Sequence, residues 1–544
     1  MKLKLFFLLP FFTSLVFSLF LISPVMLTNL KTPANTVNMM VGDYYEDYFE
    51  YLSFIKQGQK GNIILENLFN GNEGGKIFVP WWPYSLLGYL SFLSHLNIPP
   101  ALIFWFSSAF FAFILLWLTF MAVTIVLKKE GFLRQFLAFL LIIFSSGFFN
   151  VFDSLKTPDF KIIPYAFWYS VGPPFNRYSI YTPHHQLTHI IFLLGLLFII
   201  SRIRLPLTFS TLGGYFLFSL LLLFLSPSQL LLFWLSYLAS ATVFLMLNKI
   251  LNKQRFFLPF MVTAILLTPI AFLLYRFSLS SPTYISGRLW DVQHLYHPQI
   301  SLVILTFGPL LFLFPLGLQP YFSKISFVKL LFFFVTFFSF LFVHFPANIL
   351  VTNFLTFLGI HNLRFNTPNS YLLLGTSAIL ALQTIFKKTK GILVTSILIL
   401  IYLSLSIFGS WQINSRSPYQ AYALQFLPGE IYQGLTVLEQ QRGDFTTLTP
   451  PGSFLGVIIP AISAKRVYIG RSILTLNLNE KNSLATKFYT FKMTATEAEE
   501  FLKKEKIDTI LLTRSEATEA EFLRHYSFLQ VVFKNSQLTI LYYN

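Results

Sequence analysis

FWFSSAFFAFILLWLTFMAVTIVL, residues 104–127, carries no charge from end to end. A helix rises 1.5 Å per residue, so about 20 apolar residues cross the ~30 Å hydrocarbon core of a bilayer. A run of this length and character has no counterpart in an ordinary soluble core. Similar runs recur on both sides of it. Membrane spans are expected at about 5–27, 101–127, 133–151, 187–200, 208–226, 228–248, 256–276, 300–318, 328–345, 370–386 and 391–412. The 187–200 run is short and is open to extension upstream. Composition agrees: 55% of the 544 residues are hydrophobic, only 11% are charged and 67 are Phe. Soluble domains carry nearer ~25% charged residues.

The absence of cysteine excludes disulfides, thiolate catalysis and Cys-ligated metals. The N-terminus, MKLKLFFLLPFFTSLVFSLFLISPVMLTNL, has the basic start of a signal peptide. Its apolar stretch exceeds the usual ~7–15 residues and no small-residue cleavage motif follows, so it reads as an uncleaved first span.

Charge sets the topology. The segment YSLLGYLSFLSHLNI, 84–98, is short, aromatic and amphipathic, which suits a helix lying at the interface. If it does not cross, Lys2, Lys4, Lys128, Lys129, Arg134, Arg202, Arg204, Lys249, Lys253, Arg255, Lys324, Lys329, Lys387, Lys388 and Lys390 share one side, with Glu130 as the one acid. The positive-inside rule makes that side cytoplasmic. The chain is then expected to be a multi-pass protein of the cell membrane, with its N-terminus cytoplasmic and its C-terminal segment extracytoplasmic. The formal charge of +17 is a topology signal and does not point to nucleic acid.

Two domains are expected: a transmembrane domain over 1–415, with a first outer loop over 28–100, and an extracytoplasmic α/β domain over 416–544. In the latter, FTTLTP, RVYIG, DTILLT, LQVVF and LTILYY read as strands, the last two as a hairpin. EAEEFLKKEKI reads as an amphipathic helix. The domain shows no phosphate loop, His-Glu metal motif or nucleophile elbow.

Chemistry is expected on the outer loops, because the inner ones are too small to build a site for a cytoplasmic nucleotide. In VGDYYEDYFEYLSFIKQGQKGN, Asp43, Glu46, Asp47 and Glu50 fall at helical spacing on one face. Carboxylates clustered near a membrane surface serve as general bases or as metal ligands. Glu46 and Asp47 are carried as substrate-binding candidates, against the plainer reading of Glu46 and Glu50 as a solvated acidic face. Asp43, beside Gly42 and soon after the first span, is the candidate base. In FNRYSIYTPHHQLTH, His184 and His185 sit at a helix start, where they could ligate metal, bind phosphate or merely anchor at the interface. Asp153, Asp159 and His189 are weaker candidates. Arg288, Asp291, His294 and His297 read as a structural rim. Arg364 is the one charge in GIHNLRFNTPNSYLLLG. It needs an anion, and a guanidinium fork suits a phosphate; the alternative is snorkelling to headgroups.

An acidic residue soon after the first span, outer-surface helices before the second, large outer loops and an outward C-terminal domain resemble the GT-C class of polytopic glycosyltransferases. The stretches that carry this resemblance are DYYEDYFEYLSFIKQGQKGN, VPWWPYSLLGYLSFLSHLNIPPALIFW, FLGVIIPAISAKRVYIGRSILTLNLNEKNSLATKFY and LKKEKIDTILLT, which look like parts of uncharacterised bacterial members. The class implies a polytopic α-helical fold and transfer of a sugar from a polyprenyl-phosphate carrier to a glycan, lipid or protein acceptor outside the cytoplasm. It implies that Asp43 is the first-loop carboxylate and Arg364 a phosphate-binding residue. The paired-acid motif of some members is missing from the second loop, where only Asp153 and Asp159 stand, six apart. No cofactor is required by this reading, and a divalent metal is left open. The rival classes are a transporter or flippase for lipid-linked sugars, and a non-catalytic envelope assembly protein on the same scaffold. No internal repeat supports the transporter.

Overall fold

Apolar length decides most of the architecture. The computed structural model describes residues 2–42, 45–150, 163–164, 172–178, 182–203, 205–248, 254–295, 298–344, 349–386, 389–415, 422–441, 443–514 and 518–543. Among them, six helices are long and apolar enough to cross a bilayer: Phe7–Asn29, Pro100–Val126, Pro183–Arg202, Pro227–Asn248, Phe256–Ser280 and Phe327–His344. Ile300–Phe307 and Pro309–Tyr321 form a pair bent by 81° that passes the same test together. Phe132–Phe144, Phe209–Leu225, Ser370–Ile385 and Ser396–Gln412 are shorter apolar helices. These segments fall on the eleven expected spans, and the chain is a polytopic helical membrane protein. The helix expected at 187–200 does start upstream, at Pro183.

Two spans differ from expectation, each for a local reason. The one expected at 300–318 is broken at Gly308, whose φ is +58°. A Cβ there would lie 2.8 Å from the Ser146 carbonyl oxygen, so the turn needs glycine, and Pro309 disfavours helical backbone before it. The helix expected at 133–151 stops at Phe144. The Arg177 guanidinium, fully buried, donates to the carbonyls of Ile142, Ser145 and Gly172 and lies 3.6 Å over the Tyr371 ring. The Tyr402 hydroxyl accepts from the Ser146 N–H at 3.0 Å and donates to the Ser146 carbonyl. The carbonyls at this helix end are therefore met by side chains from far along the sequence.

The chain divides into two compact units. The first comprises residues 1–24, 107–274 and 291–416. Its core is a continuous packing of Leu, Ile, Val and aromatic side chains, among them Phe120, Leu193, Phe233, Leu331 and Tyr371. The second comprises residues 25–106, 275–290 and 417–544. In it the strand Thr36–Asn38 pairs antiparallel with Phe426–Pro428, so the first-loop segment is stitched to the C-terminal segment by backbone. A five-stranded mixed sheet runs in the order Leu529–Lys534, Leu538–Tyr543, Ile507–Thr513, Thr446–Leu448 and Arg466–Val467. The first two form the expected antiparallel hairpin, and Thr446–Leu448 pairs parallel with both of its neighbours. The helices Ala495–Glu505 and Glu519–His525 each begin with a capping box, Thr494 with Glu497 and Thr518 with Glu521. They cover the sheet with Phe501, Leu502 and Phe522, in a cluster where Phe488 and Tyr526 stack on each other.

Two helices of the first loop, Tyr45–Gln59 and Trp82–Leu93, cross at a glycine pair. A Cβ on Gly58 would meet the Ser85 carbonyl oxygen at 2.2 Å, and one on Gly88 would meet that of Ile55 at 2.0 Å. The backbones touch there because neither residue has a side chain. The 12 residues of Trp82–Leu93 reach only about 18 Å, too short for a bilayer core.

Candidate functional site

The candidate residues lie in both units. Asp43, Asp153, Asp159 and His297 fall outside the described residues. In the second unit the Tyr45–Gln59 helix begins two residues after Asp43 and carries Glu46, Asp47 and Glu50. Glu46 accepts from the Ser472 hydroxyl at 3.2 Å and weakly from the Tyr45 hydroxyl at 3.5 Å. Asp47 and Glu50, three apart on one helix face, both grip the guanidinium of Arg471.

Glu50 is fully buried, with a side-chain exposure of 0%. This corrects its reading as part of a solvated acidic face. A carboxylate is retained in such a place only with a cation against it, and Arg471 supplies one from more than four hundred residues along the chain. Nothing near Arg471 in the sequence marks it as that partner. Farther along the helix, Lys56 pairs with Glu439 at 2.6 Å, and the Lys60 ammonium donates to the Ser463 carbonyl at 2.6 Å. Burial pulls the Lys60 pKa below the usual lysine range, with Glu439 opposing. The first-loop helix is thus fixed at both ends by side chains from the C-terminal segment.

In the first unit, Arg364 sits on a single 3-10 turn, Asn362–Phe365. Its Nε and Nη2 donate to the two carboxylate oxygens of Asp291, both at 2.9 Å. The charge that sequence analysis left to a phosphate or to headgroups is therefore already met within the protein, by a residue read as rim. Its side chain is nonetheless 45% exposed, while that of Asp291 is 12% exposed.

The turn beneath Arg364 is locked. Its carbonyl accepts from Ser228 Oγ at 3.1 Å and Gln229 Nε2 at 2.7 Å, and the Phe365 carbonyl accepts from Ser339 Oγ at 3.0 Å. His361 caps the turn: its Nδ1 accepts from the Leu363 N–H at 3.1 Å. That leaves the ring proton on Nε2, which donates to the His294 carbonyl at 2.6 Å. Burial holds the His361 pKa below the usual histidine value, with Asp291 opposing.

His184 and His185 open the Pro183–Arg202 helix with ring centroids 4.2 Å apart. The Arg364 guanidinium is near enough to act electrostatically on both. One turn on, His189 Nδ1 lies 3.5 Å from Thr367 Oγ1. The structure thus brings His184, His185 and Arg364 into one polar region of the first unit, where Asp291, Ser228 and Gln229 join them. Glu46 and Asp47 belong to the second unit. Among the described residues, no group of three His, Asp or Glu side chains is arranged to hold a metal ion.

No family model and no curated protein matches the sequence. Solved structures do match the fold. ArnT from Cupriavidus metallidurans, bound to undecaprenyl phosphate, aligns with a TM-score of 0.50 at 10% identity over 91% of this chain and 93% of its own. The archaeal oligosaccharyltransferase AglB from Archaeoglobus fulgidus, in complex with an inhibitory peptide and a dolichol-phosphate, aligns with a TM-score of 0.48 at 12% identity over 92% of this chain and 69% of its own. The ArnT alignment, nearly end to end in both chains, gives this chain a GT-C fold.

Proposed function

We propose, with the GT-C fold of the chain as premise, that it is a membrane glycosyltransferase. It takes a sugar from a polyprenyl-phosphate carrier and passes it to a hydroxyl acceptor on the outer face of the membrane. The N-terminus is cytoplasmic, and residues 416–544 are extracytoplasmic. The observation that carries the reading is the alignment over 91% of this chain with a fold whose solved example holds undecaprenyl phosphate. The first unit adds an exposed guanidinium on a locked turn, which is what recognition of an anionic headgroup needs.

The reaction is a single inverting displacement. The acceptor oxygen bonds to the anomeric carbon as its proton passes to Asp43. The bond from the anomeric carbon to the phosphate oxygen breaks, and its electron pair leaves on the lipid phosphate. Arg364, with His184 and His185 beside it, offsets the charge that grows there. Asp291 holds the guanidinium plane, so little reorganisation is needed at the moment of reaction. Glu46 and Asp47, on the helix that starts two residues after Asp43, are assigned to substrate binding.

The test is transfer by the purified full-length protein in nanodiscs, supplied with undecaprenyl-phosphate sugars and with outer-envelope glycans and lipids as acceptors. Wild type should release undecaprenyl phosphate in an acceptor-dependent way, and Asp43→Asn should not. Passage of the lipid-linked sugar across sealed vesicles without bond cleavage would overturn the assignment in favour of a flippase.

A further inference from the structure

We propose that Gln186, Gln229 and Asn369 form a subsite for the hydroxyl groups of the sugar on the lipid phosphate; this rests on the donor reading above. The three side chains are buried, with exposures of 0%, 2% and 1%. Each lies at the start of a different apolar helix: Gln186 in the first turn of Pro183–Arg202, Gln229 in the first turn of Pro227–Asn248, and Asn369 immediately before Ser370–Ile385. The three helix starts are tied together. Gln229 Nε2 donates to the carbonyls of Arg364 and Asn366 at 2.7 and 3.1 Å. Thr367 Oγ1 accepts from the Asn369 N–H at 3.3 Å and lies 3.5 Å from His189 Nδ1. Gln186 stands three residues before His189, on the same face of its helix.

Among the described residues, Gln186 has no hydrogen-bond partner at either Nε2 or Oε1, Asn369 has none at Nδ2, and Gln229 has none at Oε1. A single unmet atom occurs on other buried amides too, Asn38, Asn70 and Gln135 among them, and Gln186 differs from these in having both of its amide atoms unmet. Buried amide groups left this way are costly, and an apolar residue of similar shape would relieve the cost. Exchanging the nitrogen and oxygen of Gln186 changes nothing, because both ends are unmet.

The chemistry of the missing partner follows from the count of donors and acceptors. Two amide oxygens need donors, and two amide nitrogens need acceptors. A phosphodiester offers acceptors only, and a prenyl chain offers neither. Hydroxyl groups offer both. The neutral amides carry no charge for an ionic ligand, while the cation suited to phosphate, Arg364, has its backbone held by Gln229. The arrangement fits a headgroup whose phosphate meets Arg364 and whose hydroxylated ring meets the amides.

The test measures binding to the full-length protein in nanodiscs. The probes are undecaprenyl phosphate and its glucosyl, mannosyl and arabinosyl phosphodiesters. Wild type should bind at least one sugar-bearing lipid about tenfold or more tighter than bare undecaprenyl phosphate, the size expected of one or two satisfied amide hydrogen bonds. Gln186→Met should erase that preference, leave bare-phosphate binding unchanged, and unfold at the same temperature as lipid-free wild type or higher. Asn369→Asp, which removes the Nδ2 donor at nearly constant shape, should weaken the same preference. A Gln186→Met protein that melts well below wild type would mean that the amide is already satisfied in the fold, and the subsite would fall. So it would if both variants kept the full sugar preference, or if wild type bound all four lipids alike. If wild type bound none of them, the donor reading itself would fail and take the subsite with it.

Discussion

Arg471→Met is expected to destabilise the protein in a way that depends on pH, because it strands Glu50. In the native protein the buried Glu50 carboxylate faces the Arg471 guanidinium. Removing one member of a buried pair costs about 3–5 kcal/mol. The carboxyl has an escape, which is to take a proton and become neutral. At pH 7 that costs about 2.7 pH units from the ordinary glutamate value of ~4.3, or about 3.7 kcal/mol, and this caps the penalty. At pH 5 the same step costs only about 1 kcal/mol. A kcal/mol corresponds to ~2–4 °C in a unit of a couple of hundred residues. The variant should therefore melt about 7–15 °C below wild type at pH 7 and only ~2–4 °C below it at pH 5.

Two measurements check this. The first is thermal unfolding of the purified protein in nanodiscs at both pH values. The second is hydrogen exchange in residues 45–59, which should quicken in the variant at pH 7 and return towards wild type at pH 5. Asp47, with a side chain 27% exposed, can rehydrate and adds little. The double variant Glu50→Leu with Arg471→Met removes both charges and should recover most of the loss at pH 7. An equal deficit at both pH values, or a double variant no better than the sum of the singles, would refute the reasoning. Because the helix held by this clamp starts just after Asp43, Arg471→Met should also lower kcat for sugar transfer more than it raises KM.

Gly88→Ala should destabilise the protein by about 1–3 kcal/mol or more, read from thermal unfolding, since the new Cβ meets backbone at the Ile55 carbonyl and no side chain can yield. His361 is held below its usual pKa by burial, so the unfolded chain binds the proton more readily. Its contribution to stability is complete above the unfolded value near 6.5 and is lost as pH falls below it; a His361→Gln variant should show a flatter melting profile between pH 7 and 5. Arg364→Lys should reduce kcat/KM by about 10²-fold or more, because an ammonium cannot reproduce the fork held by Asp291. Cysteines placed by Lys253→Cys and Lys388→Cys should resist an impermeant thiol reagent in intact cells, whereas Lys481→Cys should be labelled after mild unfolding, its native side chain being buried. The opposite pattern would reverse the orientation.

The elements that could be read in the sequence are those whose cause is local. A bilayer span is a statement about some twenty consecutive side chains, so the eleven expected segments could be located without knowing what packs against them. Ile507–Thr513 and the hairpin after it declare themselves by β-branched and aromatic runs between turn residues. Failure came where the cause lies far away. The helix from Phe132 ends early, where Arg177 and Ser406 take the carbonyls of Ile142 and Phe144, and nothing between 133 and 151 announces either. Thr36–Asn38 has no strand signature and exists because Phe426–Pro428 lies beside it.

The charged residues separate the two cases most sharply. The expectation that Arg364 needs an anion follows from electrostatics alone. Which anion is a question of tertiary structure, and the first answer is Asp291, 73 residues upstream. Glu50 was misjudged by the same gap: a carboxylate at helical spacing among other acids looks solvated until Arg471 is found against it. A buried charge can be predicted to have a partner, and a buried amide to have one too, but sequence spacing does not name it. For the charges, the fold supplies those partners from within. For Gln186 it supplies none among the described residues, so the partner of that amide, like the phosphate proposed for the exposed Arg364 side chain, is to be sought outside the protein.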